Sequence, residues 1–265
     1  MMDIQEAAFN YLTHIFKTES SPKLLILDKQ TMDFISVAIT KTEILKNEVF
    51  LVETLDFFRK PHGPDVASLT CYCLIRPTPD NIDLLCEELK NPKFTKYCLF
   101  FTAMLGDQTF RRIASSDVHS SIELFQEVYL DFSSLGRKLF SLNLPDITAF
   151  RMDPSSTSCI DRILEGLFGV ISSLNVKPII RYDLNSNVTK PIALGLQQMV
   201  QNNKEFNSAK SMDNACVLIL DRRNDPATPL MHFFHFFSAI HDLFTISNNI
   251  VKIGKNEYII DERLY

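Results

Sequence analysis

Short, unbroken apolar runs constrain this chain more than any other feature: "LLILD" at 24–28, "LTCYCLI" at 69–75 and "KYCLFFTAM" at 96–104. None alternates polar with apolar, so each reads as a strand buried on both faces, and parallel sheets covered by helices provide such sites. "EVFLVETL" (48–55) reads as a further strand. Helical patterns fall between the runs. Ile4 to Phe16 carries apolar residues at 4, 8, 11, 12 and 15, and "TPDNIDLLCEELKNP" opens with Pro79 and Asp80 and buries Ile82, Leu85, Cys86 and Leu89. Further helical pieces are expected at 107–116 and 118–128, with "VYLDF" (128–132) as the last strand of this unit. A second unit follows Phe132: strand "FSLNL" (140–144), helix "SCIDRILEGLFGVISSL", strand "KPIIRYD", helix "KPIALGLQQMVQNNKEF", strand "CVLILD". The expected class is α/β, with two Rossmann-like parallel-sheet units flanked by helices. Beyond Pro229 the alternation stops at "LMHFFHFFSAIHDLFTI", a dense aromatic helix candidate.

Several function classes are disfavoured. With seven glycines the chain has no GxGxxG, GxxxxGK[ST] or GxSxG, the patterns in which glycine lets backbone turn around a phosphate or expose a nucleophile. HExxH is absent, and His232, His235 and His241 have no thiol or carboxylate companions at zinc spacing, so no metal and no cofactor is expected. A net charge of −5 argues against a nucleic-acid partner. The six cysteines form no framework; Cys71 and Cys73 suit one strand face as small hydrophobes. No basic leader precedes an apolar core, and no run of eighteen apolar residues occurs, so we expect a cytoplasmic protein without direct membrane insertion.

The densest polar cluster is "CVLILDRRNDPATPLM" (216–231). Asp221 ends a strand and precedes a proline-bearing turn whose backbone groups need partners. Asp221 paired with Arg222, and Asp225 capping the turn before Pro226, would supply them as a buried structural knot. On that reading Asp221→Asn cripples folding. The rival is an enzyme: a metal-dependent α/β hydrolase or phosphotransferase using Asp28, Asp221 and Asp225.

Asp221-Arg222-x-x-Asp225-Pro226-x-Thr228-Pro229-Leu230, together with "LIRPTPDNIDLLCEEL", "NPKFTKYCLFFT", "FQEVYLDF", "LFSLNL" and "KPIIRY", resembles the SM family. These are the Sec-one and Munc-eighteen-like proteins that bind syntaxins in vesicle fusion. The resemblance covers the whole chain and is strongest to the vacuolar-protein-sorting branch of endosomes and the trans-Golgi network. It implies a non-enzymatic partner of a Qa-type syntaxin and its SNARE complex, acting in vesicle docking and fusion, peripheral on membranes through its SNAREs; another SM branch, of the plasma membrane or Golgi, is the alternative. It implies a first domain at 1–132, the N-terminal part of a second at 133–230, and the truncated start of a helical third at 231–265. A normally monomeric protein cut there would expose "MHFFHFFSAIHDLF" and tend to associate. The family's pocket for a syntaxin N-terminal peptide falls on Leu105, Phe110, Ile122, Glu127 and Val128. Read without the family, these are the inward faces of two helices. The cleft that holds bundled syntaxin falls on Asp28, Met32, Asp33, Thr40 and Glu53. The neuronal relative carries basic residues where this chain has Asp33 and Thr40, and Asp28 also fits a buried strand-end acid.

Overall fold

A computed structural model describes residues 3–17, 22–60, 64–144, 157–203, 215–232 and 235–260. Helix α1 (Ile4–Phe16) leads into a five-stranded, all-parallel sheet of β1 (Lys23–Leu27), β2 (Val49–Thr54), β3 (Thr70–Ile75), β4 (Tyr97–Phe101) and β5 (Ile122–Glu127), ordered β2-β1-β3-β4-β5. The connections carry α2 (Lys29–Ala38), α3 (Lys41–Lys46), a 3-10 turn at Leu55–Arg59, α4 (Pro64–Ala67), α5 (Pro79–Lys90) and α6 (Asp107–Ser116).

The unbroken apolar runs are explained by burial on both faces. Every residue of β1, β3 and β4 is buried. Leu25, Leu27, Tyr72, Leu74, Cys98 and Phe100 join α1 and α2 on one face. Leu24, Ile26, Cys71, Cys73, Leu99 and Phe101 join α5, α6 and the 3-10 turn on the other. This is the period of two expected of strands.

The expectation of helix at 118–128 and strand at 128–132 is corrected: β5 occupies 122–127. Its register against β4 shifts, with Tyr97 opposite Ile122 but Cys98 opposite Leu124. That bulge at Glu123 puts Ile122 and Phe125 on one face and Leu124 on the other. A spacing of three between buried apolar residues imitates a helix, and glutamate and glutamine in the same stretch strengthen the imitation. Pairing with β4 decides the outcome.

Residues 128–132 run on as buried chain into a hairpin of β6 (Ser133–Gly136) and β7 (Leu139–Ser141), so the strand read at 140–144 is shorter and antiparallel. Helix α7 (Thr157–Leu174) packs on α1 and sends Val170 into the first core. With α8 (Thr189–Asn202) it covers a two-stranded parallel sheet, β8 (Ile179–Tyr182) and β9 (Cys216–Ile219), through Phe168, Ile171, Leu196, Val200, Ile180 and Val217. The other face of this sheet leaves Ile179 63% and Leu218 59% exposed.

Of the aromatic stretch, only α9 (Phe236–Phe244) is helical among the described residues, and a hairpin follows it. Thr245, at φ +58, ends the helix. The chain then forms β10 (Ile250–Ile253) and β11 (Asn256–Ile259), an antiparallel pair turning at Gly254, φ +62. The turn needs the positive φ that glycine supplies without strain.

Candidate functional site

The carboxyl ends of parallel strands are where open α/β sheets leave crevices; Asp28, Glu53, Leu105 and Glu127 lie at or just past such ends, whereas Ile122 opens β5 and Thr40 caps α3. Leaving β4, the chain crosses 102–106 and enters α6, whose first turn carries Asp107 where the helix dipole favours an acid. Only Ile113 and Ser116 of α6 are buried, so most of its surface faces water. Asp117 follows α6 and accepts from Ser121 N–H (2.8 Å), Ser121 Oγ (2.9 Å) and Ile122 N–H (3.1 Å), fixing the start of β5. Burial works to raise its pKa, but the Ser121 and Ile122 donors outweigh that and hold it below the usual carboxylate range.

Between α6 and β5 lies an apolar notch. Phe110 is 49% exposed and stands edge-on to Phe125 at 5.1 Å; Phe125 in turn leans on Phe101 at 5.2 Å. Leu105, Ile122 and Phe125 are half-buried against the core beneath. Of the five residues expected to line a peptide pocket, Leu105, Phe110 and Ile122 are thus on one face. Glu127 braces the rim: Oε1 accepts from Leu105 N–H (2.8 Å) and Oε2 from Tyr129 O–H (2.7 Å). Val128 is fully buried in the core on the opposite face, so it is not brought to the notch. Phe125 was not picked out from sequence, because "ELFQE" reads as helix and its facing depends on the bulge.

The five cleft residues are spread over α2, the start of α3 and β2. Asp28 is buried and occupied. Its Oδ1 accepts from Gln30 N–H (2.8 Å) and Thr31 N–H (2.9 Å), capping α2, while Thr31 Oγ1 accepts from Asp28 N–H (3.1 Å) in return. Its Oδ2 accepts from Arg76 N–H (2.5 Å) and Asn81 Nδ2 (3.2 Å), tying α2 to the loop after β3. Met32 packs against the first core and Asp33 is exposed. Thr40 caps α3 in a box with Glu43, and Glu53 lies half-buried on edge strand β2.

A buried charge cluster joins the first sheet to α7. The Asp131 side chain is 0% exposed, with Arg162 Nη1 at 2.9 Å and Arg76 Nε at 3.4 Å. Arg162 also donates to the carbonyls of Asp131 and Leu142, both at 3.1 Å, and Arg76 reaches Glu165 at 3.4 Å. Burial dominates here: it pushes Asp131 and Glu165 up and Arg162 down, against the attraction of the opposite charges.

The 221–230 motif is a knot, with two corrections. Asp221 pairs with Arg223 rather than Arg222, through Nε (2.9 Å) and Nη2 (2.5 Å), and accepts from Ser186 Oγ (2.6 Å). It lies at the surface: Arg223 is half exposed, with only the Asp221 carboxylate shielded, at 9%. The cause is the 3-10 turn at Arg222–Asn224, which Asp221 caps and which carries residue 223 back over the carboxylate. Arg222 turns instead to Asp225 (3.0 Å), which accepts from Thr228 N–H (3.1 Å) and Oγ1 (2.6 Å) across Pro226, while Thr228, Pro229 and Leu230 form the next 3-10 turn. The Arg223 and Ser186 donors hold Asp221 far below the usual carboxylate range, and Thr228 and Arg222 do the same for Asp225. Asp28, Asp221 and Asp225 are each held by separate partners, and no group of three or more His, Cys, Asp or Glu among the described residues could hold a metal ion. His232 meets Asp242 (2.9 Å), His235 stacks on Phe237, and His241 Nδ1 accepts from Ile246 N–H (3.1 Å). No described helix is long and apolar enough to cross a membrane.

The family described as the Sec1 family matches residues 23–264. Vacuolar protein sorting-associated protein 45 of Dictyostelium discoideum is 34% identical over 261 residues, 98% of this chain and 46% of the relative. Its counterpart in Schizosaccharomyces pombe is 32% identical, over 96% of this chain and 45% of the relative. The chain therefore spans a little under half the length of these relatives. Among solved structures, the SM protein Vps45 in complex with the Qa SNARE Tlg2 superposes with a TM-score of 0.89 at 31% identity, over 99% of this chain and 48% of that one.

Proposed function

The chain belongs to the Sec1 family, and we propose that it holds a Qa-type syntaxin and favours assembly of the cognate SNARE complex before membranes fuse. The traffic served is between endosomes, the trans-Golgi network and the vacuole or lysosome, in keeping with the vacuolar protein sorting relatives. The observation that carries this reading is the apolar surface at Phe110: a half-exposed aromatic edge-on to Phe125, with Leu105 and Ile122 partly buried on the same face, a surface that suits an apolar side chain of an extended peptide. The likeness to Vps45 bound to Tlg2 supports it.

The work is done by binding. Residues 1–132 form the domain that carries the peptide pocket and the cleft, 133–230 the N-terminal part of a second, and 231–265 open a third. The protein is peripheral on its membranes, held through its SNARE partners. Glu127 acts by holding the 104–106 loop open beside the notch, and Asp28 by setting α2, so that Met32 and Asp33 carry the cleft contacts.

The test is a fluorescence-anisotropy titration with labelled N-terminal peptides of several Qa-type syntaxins, run beside Phe110→Arg. Saturable binding in the micromolar range, about −8 kcal/mol, is expected from one or a few peptides and is lost in the folded variant. Binding that survives Phe110→Arg removes the pocket; silence from every peptide removes the peptide reading.

A further inference from the structure

The geometry points to a second docking groove that continues from the Phe110 notch across the seam between the first sheet and α7–α8. It takes the downstream part of the same peptide through one apolar residue and one Lys or Arg. The inference rests on the notch receiving a syntaxin N-terminal peptide.

A cavity of about 700 Å³ opens beside the ends of β4 and β5, walled by Met104, Tyr129, Leu164, Phe168 and Met199. Its volume is that of sites that enclose a small ligand or a few residues of chain. The apolar floor is set by Tyr129, which stands edge-on to Phe168 at 5.1 Å and so joins the end of β5 to α7. The polar part of the wall is acidic or neutral: Asp161 and Glu165, with Gln198, Asn202 and Asn203, and none of the described lining residues is Lys or Arg. Glu165 leans on Arg76 at 3.4 Å, while Asp161 is exposed at the rim. A cation entering beside an apolar side chain is the complement of that wall.

Groove and notch share one braced element. Met104, half exposed, lines the groove, and its neighbour Leu105 lines the notch. Glu127 ties both sides, accepting from Leu105 N–H on one and from Tyr129 O–H on the other.

The experiment uses the labelled N-terminal peptide of Tlg2 and copies with each Lys or Arg replaced by Gln, titrated into wild type, Asp161→Lys, Met199→Glu and Phe110→Arg. Asp161 is exposed, so its reversal spares the fold; Met199→Glu tests the apolar floor independently. Asp161→Lys is expected to weaken wild-type peptide roughly three- to tenfold, with the difference shrinking in high salt. It should have no further effect on the one Gln peptide that has lost the matching cation, and Met199→Glu should weaken every peptide. Wild-type affinity in both groove variants, with binding abolished by Phe110→Arg, overturns the groove and leaves the notch standing. Self-association of the chain that Asp161→Lys abolishes without touching peptide affinity also overturns it, by giving the groove a second copy. Failure of wild type to bind any peptide takes the notch and the groove together.

Discussion

Replacing Arg162 with methionine is the sharpest perturbation the fold offers. The substitution keeps most of the side-chain volume and removes the guanidinium that stands 2.9 Å from a carboxylate with no solvent exposure. Asp131 is then left with Arg76 alone, at 3.4 Å, and the carbonyls of Asp131 and Leu142 lose their shared donor. Breaking a buried pair at one partner typically costs about 3–5 kcal/mol, and each orphaned acceptor adds to that. Acidity supplies a second signature. Burial already raises the Asp131 pKa in the wild type. A carboxylate whose folded pKa lies above its unfolded one favours the fold below the unfolded value, and that favour is lost as pH rises through the folded value. Removing Arg162 raises the folded pKa further, so the loss is largest at neutral pH and shrinks in mild acid, where Asp131 binds a proton and sheds its charge. Urea unfolding followed by circular dichroism at neutral and mildly acid pH measures both effects. Asp131→Leu combined with Arg162→Met removes both charges and should return to within about 2 kcal/mol of wild type. A single-variant loss under about 1 kcal/mol, or one that does not shrink in acid, would refute the account.

Other expectations follow from single contacts. Asp28→Ala removes the α2 cap and the tie to Arg76 and Asn81, and should lower stability by about 2 kcal/mol in thermal or urea unfolding; an unchanged melting point with weakened syntaxin binding would mean that Asp28 faces the ligand instead. Tyr97→Phe deletes a buried hydroxyl that donates to Glu88 (2.6 Å) and accepts from Lys93 and Phe94 N–H, at an expected cost of about 1–3 kcal/mol in the same assay. Asp221 and Asp225 are held below the usual range, so their contribution is present above the unfolded carboxylate pKa and fades as pH falls through the depressed value. A carbon-detected NMR titration should find both still ionised where ordinary aspartates are half protonated, and Asp221→Asn should fold, because its arginine stays half in water.

The first sheet was legible because β1, β3 and β4 are buried on both faces, and an unbroken apolar run has few other places to go. Edges were harder to read. β5 carries Glu123, Gln126 and Glu127 along with Ile122 and Phe125, and only the pairing shift beside β4 reveals which side each one faces. The same shift decides the candidate site: it puts Phe125 under Phe110 and sends Val128 through to the far core. Arg223 was missed as the partner of Asp221 because two adjacent arginines are equivalent in sequence until a 3-10 turn selects one. The closing hairpin had a signal in "IVKIGKNEYII", alternating residues around a Gly-Lys turn, but the aromatic run before it drew the reading toward helix.

Two of the three small sheets differ in the order in which they can assemble. β10 and β11 meet across a two-residue turn, so their first cross-strand bond closes almost no chain. β8 and β9 run parallel, with Ile179 opposite Cys216, and everything between, α8 included, must be looped back before a single bond forms. Closing such a loop spends entropy before any pairing energy returns, which makes contacts of this kind slow to form. In a refolding experiment followed by pulsed hydrogen exchange, the amides of 250–259 gain protection early and those of 179–182 and 216–219 late. The strands bearing the Asp221 knot are thus among the last to find each other, and the knot at their ends locks a pairing that topology makes slow to reach.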